Sequence, residues 1–462
     1  MRVMFTVFPA PAHFLPIVPY AWALQAAGHE VCVAAPPGID TGVAVADFHK
    51  TVMAAGLTAV SCGEPEPLAV HDRAYPEFAE LLPTSAESER FITALGLDES
   101  DRAPWDMFYC FMTLAIRDYH PPAPRQDIDA VIDFARDWRP DLVLWDPWFP
   151  CGAVAARVSG AAHARVLNNP DYAGFVVQRF AQRGTWDENP LVTTLRPLAQ
   201  RYGLEVDDEL LVGQWTLDPF PPGMRLPTGT EVVPVRYVPY TGASVMPEWL
   251  YARPERPRVG LSLGVSARNF LKGDWCRTAK LLEAVAGLDV EVIATLNANQ
   301  LLDVRSGVPG NVRTFDYVPL TQLLPTCSAL IHHGSLGTFA AACAANLPQL
   351  ICDTDESTLC FGTPVDGGID WDFRCQKQLS ATATSGFVTS RGAGVRLNHQ
   401  TQSAGEIRAL LQRVLAEPSF VEGAQGVYDD WLATPSPTDL VPVLEKLTAQ
   451  HRAAPSRRRA AA

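Results

Sequence analysis

Met1-Arg-Val-Met-Phe-Thr-Val-Phe-Pro9, with Trp22-Ala-Leu-Gln-Ala-Ala-Gly28-His-Glu30-Val-Cys-Val-Ala-Ala35-Pro36-Pro37 after it, decides the fold. Arg2 to Phe8 reads as an apolar strand. Pro16 to Ala27 reads as a helix that Gly28 ends, and Glu30 to Ala35 as a second buried strand stopped by two prolines. Two like strands joined through a helix make a β-α-β unit, whose crossover sets the strands parallel. The opening run is too short, and too early broken by Pro9, for a secretory leader. The pattern recurs at Asp141-Leu-Val-Leu-Trp145, an Ala-rich helix through Val158, and Ala164-Arg-Val-Leu167. The first half is therefore expected to be a parallel sheet covered by helices.

Outward from this unit, residues 64–125 interrupt the rhythm with acids, prolines and the aromatics Phe91, Trp105, Phe108, Tyr109 and Phe111. Such an insertion suits a hydrophobic pocket, which makes Trp105, Phe108 and Phe111 candidate acceptor-binding side chains. Proline is dense over residues 218–258, and the rhythm then restarts. The second set of strands is Arg258–Leu263, Val290–Thr295, Val312–Phe315, Ala329–Ile331 and Gln349–Cys352. The expectation is an α/β protein with two Rossmann-like domains facing across a cleft, where the carboxyl ends of parallel strands bind ligands. Its parts are an acceptor domain over 1–225, a linker over 226–257 and a nucleotide-sugar domain over 258–425. A C-terminal helix over 426–450, expected to return to the first domain, and a tail over 451–462 complete it.

With 462 residues, 47% of them apolar and 19% charged, the chain has material for two cored domains of roughly 100–200 residues each. A formal charge of −14 argues against nucleic acid or an anionic membrane as partner, since those need clustered Lys and Arg. The basic run Arg457-Arg458-Arg459 sits in the Ala-rich tail and reads as a solvated end. No run of about 20 apolar residues offers a membrane span. The ten cysteines show no C-x-x-C pair and fit free thiols in a reducing cytoplasm.

His13 follows the first strand, where an imidazole reaches the cleft and suits a general base. Alone it reads rather as a helix-entry histidine bonded to backbone. Asp146 ends another strand of the same half and would orient the imidazole, unless it caps the next helix. Ile331-His332-His333-Gly334-Ser335-Leu336-Gly337-Thr338 leads from a strand into an Ala-rich helix. Glycines and a helix N-terminus admit an anion, so His333 and the turn form a credible diphosphate seat. Gly260-Leu-Ser262-Leu-Gly264 matches the nucleophile-elbow pattern of esterases but lacks a helix directly after it; Ser262 or Ser266 is read instead as lying near a ligand phosphate. Asp353-Thr-Asp355 has no neighbouring ligands that would suggest a metal, so none is expected. No G-x-G-x-x-G supports a dinucleotide cofactor.

These residues resemble a known family. Arg2-Val-Met-Phe-Thr with His13-Phe-Leu-Pro, Trp138-Arg-Pro-Asp-Leu-Val-Leu-Trp-Asp146, Val212-Gly-Gln-Trp-Thr-Leu-Asp218 and Tyr240-Thr-Gly-Ala-Ser-Val-Met-Pro-Glu-Trp249 carry the likeness in the first half. Tyr317-Val-Pro-Leu-Thr-Gln-Leu-Leu-Pro325, His332-His-Gly-Ser-Leu-Gly-Thr338 and Arg391-Gly-Ala-Gly394 carry it in the second. Together they are similar to actinomycete natural-product glycosyltransferases of the GT-B fold, in the branch that attaches deoxysugars to polyketides such as macrolides or anthracyclines. The resemblance implies inverting transfer from a dTDP-deoxyhexose, with no metal or other cofactor. His13 would be the base and Asp146 its partner. His333, Gly334, Ser335, Leu336, Gly337 and Thr338 would hold the diphosphate. Val318 would meet the thymine, and Asp372 and Gln378 would face the sugar. The likeness also implies a P450-like activator protein as partner, and a homodimer. Two departures stand out: Ser335 replaces a family glycine, and an acidic, Gly-rich stretch lengthens Asp353 to Asp370. The longer loop and Asn398-His-Gln-Thr-Gln resemble transferases acting on anthracycline aglycones, some with aminodeoxysugars. A non-catalytic relative that binds sugar nucleotide or aglycone, and an esterase using Ser262, are the competing readings.

Overall fold

The structure is a computed structural model describing residues 1–38, 44–66, 83–97, 102–117, 119–242, 244–265, 277–302, 304–356, 359–365, 368–374 and 377–452, with backbone alone between 359 and 374. Seven strands form the first sheet: β1 (Arg2–Thr6), β2 (Glu30–Ala35), β3 (Thr58–Ser61), β4 (Leu142–Trp145), β5 (Ala162–Val166), β6 (Trp215–Asp218) and β7 (Val232–Pro234). Their order is β3-β2-β1-β4-β5-β6-β7, and every pairing is parallel. The next strands are β8 (Arg258–Ser262), β9 (Glu291–Thr295), β10 (Val312–Phe315), β11 (Ala329–His332), β12 (Gln349–Cys352), β13 (Leu359–Val365), β14 (Gly368–Arg374) and β15 (Gly394–Leu397). Six of them make a second parallel sheet, β10-β9-β8-β11-β12-β15, while β13 and β14 pair antiparallel as a hairpin.

Both sheets reverse their strand order once, between β1 and β4 in the first and between β8 and β11 in the second. A reversal opens a crevice at the strands' carboxyl ends, because successive crossovers leave to opposite sides. Thr6 pairs with Trp145 and Ser262 with His332, so the strand ends at each reversal are level. His13 and Asp146 therefore follow one reversal and His333 the other.

The chain departs from the sequence expectation in four places. The helix expected over Pro16–Ala27 is a helical turn Pro11–Phe14, a 3-10 turn Leu15–Ile17 and a helix Val18–Ala26. Pro16 and Pro19 each lack the N–H that a continuous helix would use. The expected linker over 226–257 is not all linker, since Val232–Pro234 closes the first sheet as an edge strand. Its proline ends the strand at the sheet margin, where a missing donor is tolerated. The stretch after Cys352 holds the hairpin, and β13 lies against the helix Ala103–Met112 of the other half. The C-terminal region is two helices, Pro418–Ala433 and Pro437–His451, parted at Thr434–Ser436.

Burial explains the packing. Leu440, Val441, Leu444 and Leu447 of the last helix join Val3, Phe5, Phe14 and Leu24 in one apolar cluster on the first sheet. A separate cluster joins Leu167, Phe220 and Met224 to Leu336, Phe339 and Phe387, so apolar side chains of both halves pack together. Among the described residues no helix is long and apolar enough to cross a membrane.

Candidate active site

His13 sits in the turn Pro11–Phe14 directly after β1, its ring 5.0 Å from that of Phe8. Its Nδ1 lies 2.6 Å from Asp146 Oδ2. The histidine side chain keeps 17% of its surface exposed while Asp146 keeps 3%. Asp146 does not cap the following helix, whose N-cap is Pro150. Its Oδ2 also accepts from the Phe8 N–H at 3.2 Å, and its Oδ1 accepts from the Trp148 N–H at 3.0 Å. These backbone donors fix the plane of the carboxyl group. With Nδ1 engaged, Nε2 is the nitrogen left for a substrate proton. Asp146 thus orients the ring from the buried side, and the helix-entry reading of His13 gives way to a dyad.

The second reversal leads into a helix start without a side-chain cap. Ser335 is the N-cap of the helix Leu336–Ala344, and no side chain caps it. The N–H groups of its first turn have no partner inside the helix. Gly334 takes φ +83°, and a Cβ there would lie 2.8 Å from the Ala381 Cα, so neither conformation nor space admits a side chain. Thr384 Oγ1 donates to the Gly334 carbonyl at 2.8 Å, and Thr338 Oγ1 donates to the Ser335 carbonyl at 3.0 Å. Leu336 points into the cluster shared by the two halves, so only its backbone can serve a ligand. A Cβ at Gly337 would make ordinary contact with the Tyr237 hydroxyl, 3.5 Å away.

His332 and His333 are both buried, and they divide the work. His332 Nδ1 accepts from the Gly334 N–H at 3.1 Å while its Nε2–H donates to Gln349 Oε1 at 3.0 Å, so it braces the turn as a neutral ring. Burial pushes its pKa down to about 4. His333 is pushed down to about 3, first by burial and then by the charges of Arg277 and His332. Its Nδ1–H donates to the Ser262 carbonyl at 3.4 Å, and a Cβ at Gly264 would stand 2.5 Å from its Nε2.

The remaining candidates fall into place unevenly. Ser262 Oγ accepts from Thr295 Oγ1 at 3.0 Å and lies at the end of β8. Among the described residues the only non-glycines with positive φ are Asp47, Arg139 and Asn346, so Ser262 lacks the strained turn of an elbow nucleophile. Ser266 lies outside the described residues. Val318 is buried beside Leu323 and Leu324. Asp372 pairs with Phe361 across the hairpin. Asp353 and Asp355 are taken up by ion pairs with Lys377 and Arg396.

Trp105 and Phe108, expected among the acceptor-binding side chains, are not the exposed rings that the sequence suggested. Both are buried, packed against Phe175, Tyr172 and Trp148, and Phe111 is half-buried at the margin. Aromatic side chains in a Pro-rich insertion read as exposed, yet they found one another. A small hollow does open beside the dyad, lined by Val7, His13, Ile17, Leu144, Asp146 and Asn168.

Sequence reasoning passed over Asn168 and Asn169, which follow β5 in the same row of strand ends. Asn168 Nδ2 stands 2.8 Å from His13 Nδ1, and Asn169 meets Ser380 and Gln378 of the other half. The available signal was two consecutive amides at the carboxyl end of a parallel strand, Val166-Leu-Asn168-Asn169.

Two facing parallel sheets, a His–Asp dyad at one reversal and an uncapped helix start at the other, make up a GT-B glycosyltransferase scaffold. Residues 22–264 match the family described as Erythromycin biosynthesis protein CIII-like, N-terminal domain, and residues 279–362 match its C-terminal domain. The chain is 40% identical to Aclacinomycin-T 2-deoxy-L-fucose transferase of Streptomyces galilaeus, over 98% of this chain and 97% of that one. It is 39% identical to 10-deoxymethynolide desosaminyltransferase of Streptomyces venezuelae, over 99% of each. The crystal structure of the glycosyltransferase VinC in complex with dTDP superposes with a TM-score of 0.71 at 28% identity, covering 97% of this chain and 100% of that one. The chain belongs to the Erythromycin biosynthesis protein CIII-like family of glycosyltransferases.

Proposed function

We propose that this protein is an inverting transferase that moves a deoxysugar, in one form an aminodeoxysugar, from a dTDP donor to a hydroxyl of a polyketide aglycone, an anthracycline-type acceptor being favoured. The observation that carries the reading is the 2.6 Å contact between His13 Nδ1 and Asp146 Oδ2, which leaves Nε2 clear of that carboxylate on a residue that lines the hollow. In this scheme Nε2 takes the acceptor hydroxyl proton as the oxygen bonds to the sugar C1. The bond from C1 to the diphosphate oxygen breaks on the opposite face, which inverts the anomeric centre. The departing negative charge falls to the N–H groups of Ser335 to Thr338. Gln378, on the loop that meets Asn169, faces the sugar, and the backbone at Val318 takes the thymine. A P450-like protein is the expected activating partner.

Titration calorimetry with dTDP, UDP and NAD, each without added metal, tests the donor side. Preferential dTDP binding supports the reading, and binding of NAD alone overturns it. With a turned-over pair in hand, His13→Ala is expected to abolish transfer while leaving dTDP affinity within twofold. Retention of wild-type turnover would remove His13 as the base.

A further inference from the structure

The dyad is tied to the other half of the molecule by a row of hydrogen bonds that runs through Asn168 and Asn169. Ser380 Oγ–H donates to Asn169 Oδ1 at 2.9 Å, and Gln378 Nε2 approaches the same oxygen at 3.5 Å. Asn169 Nδ2 donates in turn to Asn168 Oδ1 at 3.1 Å. Trp148 Nε1–H donates to that same Asn168 oxygen, also at 3.1 Å. Two donors on one atom identify it as the amide oxygen, so the NH2 group must face the dyad. There Nδ2 stands 2.8 Å from His13 Nδ1 and 3.4 Å from Asp146 Oδ1.

That placement sets two demands on one nitrogen. Asp146 favours a proton on His13 Nδ1, whereas an amide N–H pressed against Nδ1 favours a lone pair there. The imidazole tautomer that leaves Nε2 bare is the one able to take a proton, so the position of the Asn168 amide bears on whether the base is ready. The segment carrying the two amides is held firmly. Arg165 and Asp171 form a buried bidentate pair at 2.8 and 2.7 Å, and Tyr172 Oη donates to the Leu379 carbonyl at 3.1 Å. A shift of the loop Lys377–Ser380 therefore has a short, defined route to His13.

We infer that Asn168 and Asn169 are positioning residues that couple the donor-side loop to the tautomer of the acceptor-side base, holding the base back until that loop moves. The inference rests on the proposed assignment of His13 as base and of Gln378 as a sugar contact. Its structural core, that Ser380 and Asn169 bear on the His13 ring, is open to test without any substrate.

The test is the 15N spectrum of protein labelled at its ten histidines, with the His13 pair assigned by its absence in His13→Gln. In Asn168→Ala the amide is gone, so the Nδ1 signal is expected to move toward its protonated position and Nε2 toward its bare one. Asn169→Ala and Ser380→Ala are expected to move the pair in the same sense by a smaller amount, with the other nine histidines and the thermal midpoint unchanged. A His13 pair that stays at its wild-type position in both Asn169→Ala and Ser380→Ala overturns the coupling, even if Asn168→Ala moves it. Ser380→Ala, the milder change, serves should Asn169→Ala fail to fold. Calorimetry with dTDP on the same samples separates the two readings. Absence of dTDP binding counts against the proposed function, while the spectra in its absence still decide the coupling.

Discussion

Asp146 accepts from the Phe8 and Trp148 N–H groups and from the Asn168 amide and lies against His13 Nδ1, and each contact constrains a different part of the dyad. Asp146→Asn keeps the side-chain shape but turns one oxygen into a donor facing donors. Transfer is expected to fall by about 10²–10⁴-fold, the range for loss of oriented general-base catalysis. Calorimetry should find dTDP affinity unchanged, since the proposed diphosphate seat belongs to the other sheet. Gly334 poses a steric question instead. Its φ of +83° and the 2.8 Å approach to the Ala381 backbone mean that Gly334→Ala must displace the turn. The expected loss is roughly 1–3 kcal/mol of unfolding free energy, as for overpacking elsewhere, together with weaker dTDP binding. Gly386 supplies the contrast, being exposed in the helix Ala381–Ser390 with nothing near its missing Cβ. Gly386→Ala should raise stability by about 0.4–1 kcal/mol by restricting the unfolded chain. Urea titration of the two variants side by side checks both signs.

At the scale of elements, the loop after β5 depends on a charge pair buried among apolar neighbours. Arg165 has no exposed surface, and its guanidinium is spent on Asp171, Thr216 Oγ1 and the Val212 carbonyl. Asp171 also caps the helix Tyr172–Arg183 through the Gly174 N–H. Asp171→Ala leaves a cation buried without its partner, and such breaks cost about 3–5 kcal/mol. A denaturant midpoint that moves by less than a third of the corresponding shift would show that the pair is replaceable by its neighbours. What the sequence disclosed at this scale followed from its periodicities. Strands flanked by prolines and glycines, such as Glu30–Ala35 and Gln349–Cys352, are legible because a fully buried parallel strand is apolar on both faces. Val232–Pro234 was hidden because three residues at a sheet edge carry no period. The hairpin Leu359–Arg374 was hidden because Gly and Asp in a strand read as loop. The dyad could be found from two strand ends, whereas Trp105 and Phe108 could not be placed, since ring-on-ring packing depends on partners such as Tyr172 and Phe175 that lie about seventy residues away.

The whole molecule carries a pH dependence set by its buried histidines. Burial pushes His332 down to about 4, and His120, His333 and His399 to about 3. An unfolded histidine binds its proton near pH 6.5, so between that value and the folded ones the unfolded chain holds more protons than the native one. Stability is therefore fully present above about pH 6.5 and drains away as pH falls toward 4, by up to about 1.4 kcal/mol per unit for each ring. Asp218 opposes this trend, because burial raises it to about 6 and its native form gains a proton first. Asp127 is likewise raised by burial. Asp218 acting between about pH 4 and 6, with Asp127 raised in the same direction, does not offset four imidazoles acting over a wider interval. The urea midpoint at pH 5 is accordingly expected below that at pH 7, with the loss growing steeply toward pH 4. An equal or higher midpoint at pH 5 would mean that the four rings admit water or relax on protonation. Two of the four lie at the second sheet's reversal: His332 braces the turn at Gly334, and His333 is bonded to the Ser262 carbonyl. Protonating His332 removes the acceptor of the Gly334 N–H, so dTDP binding is expected to weaken as pH falls toward 4.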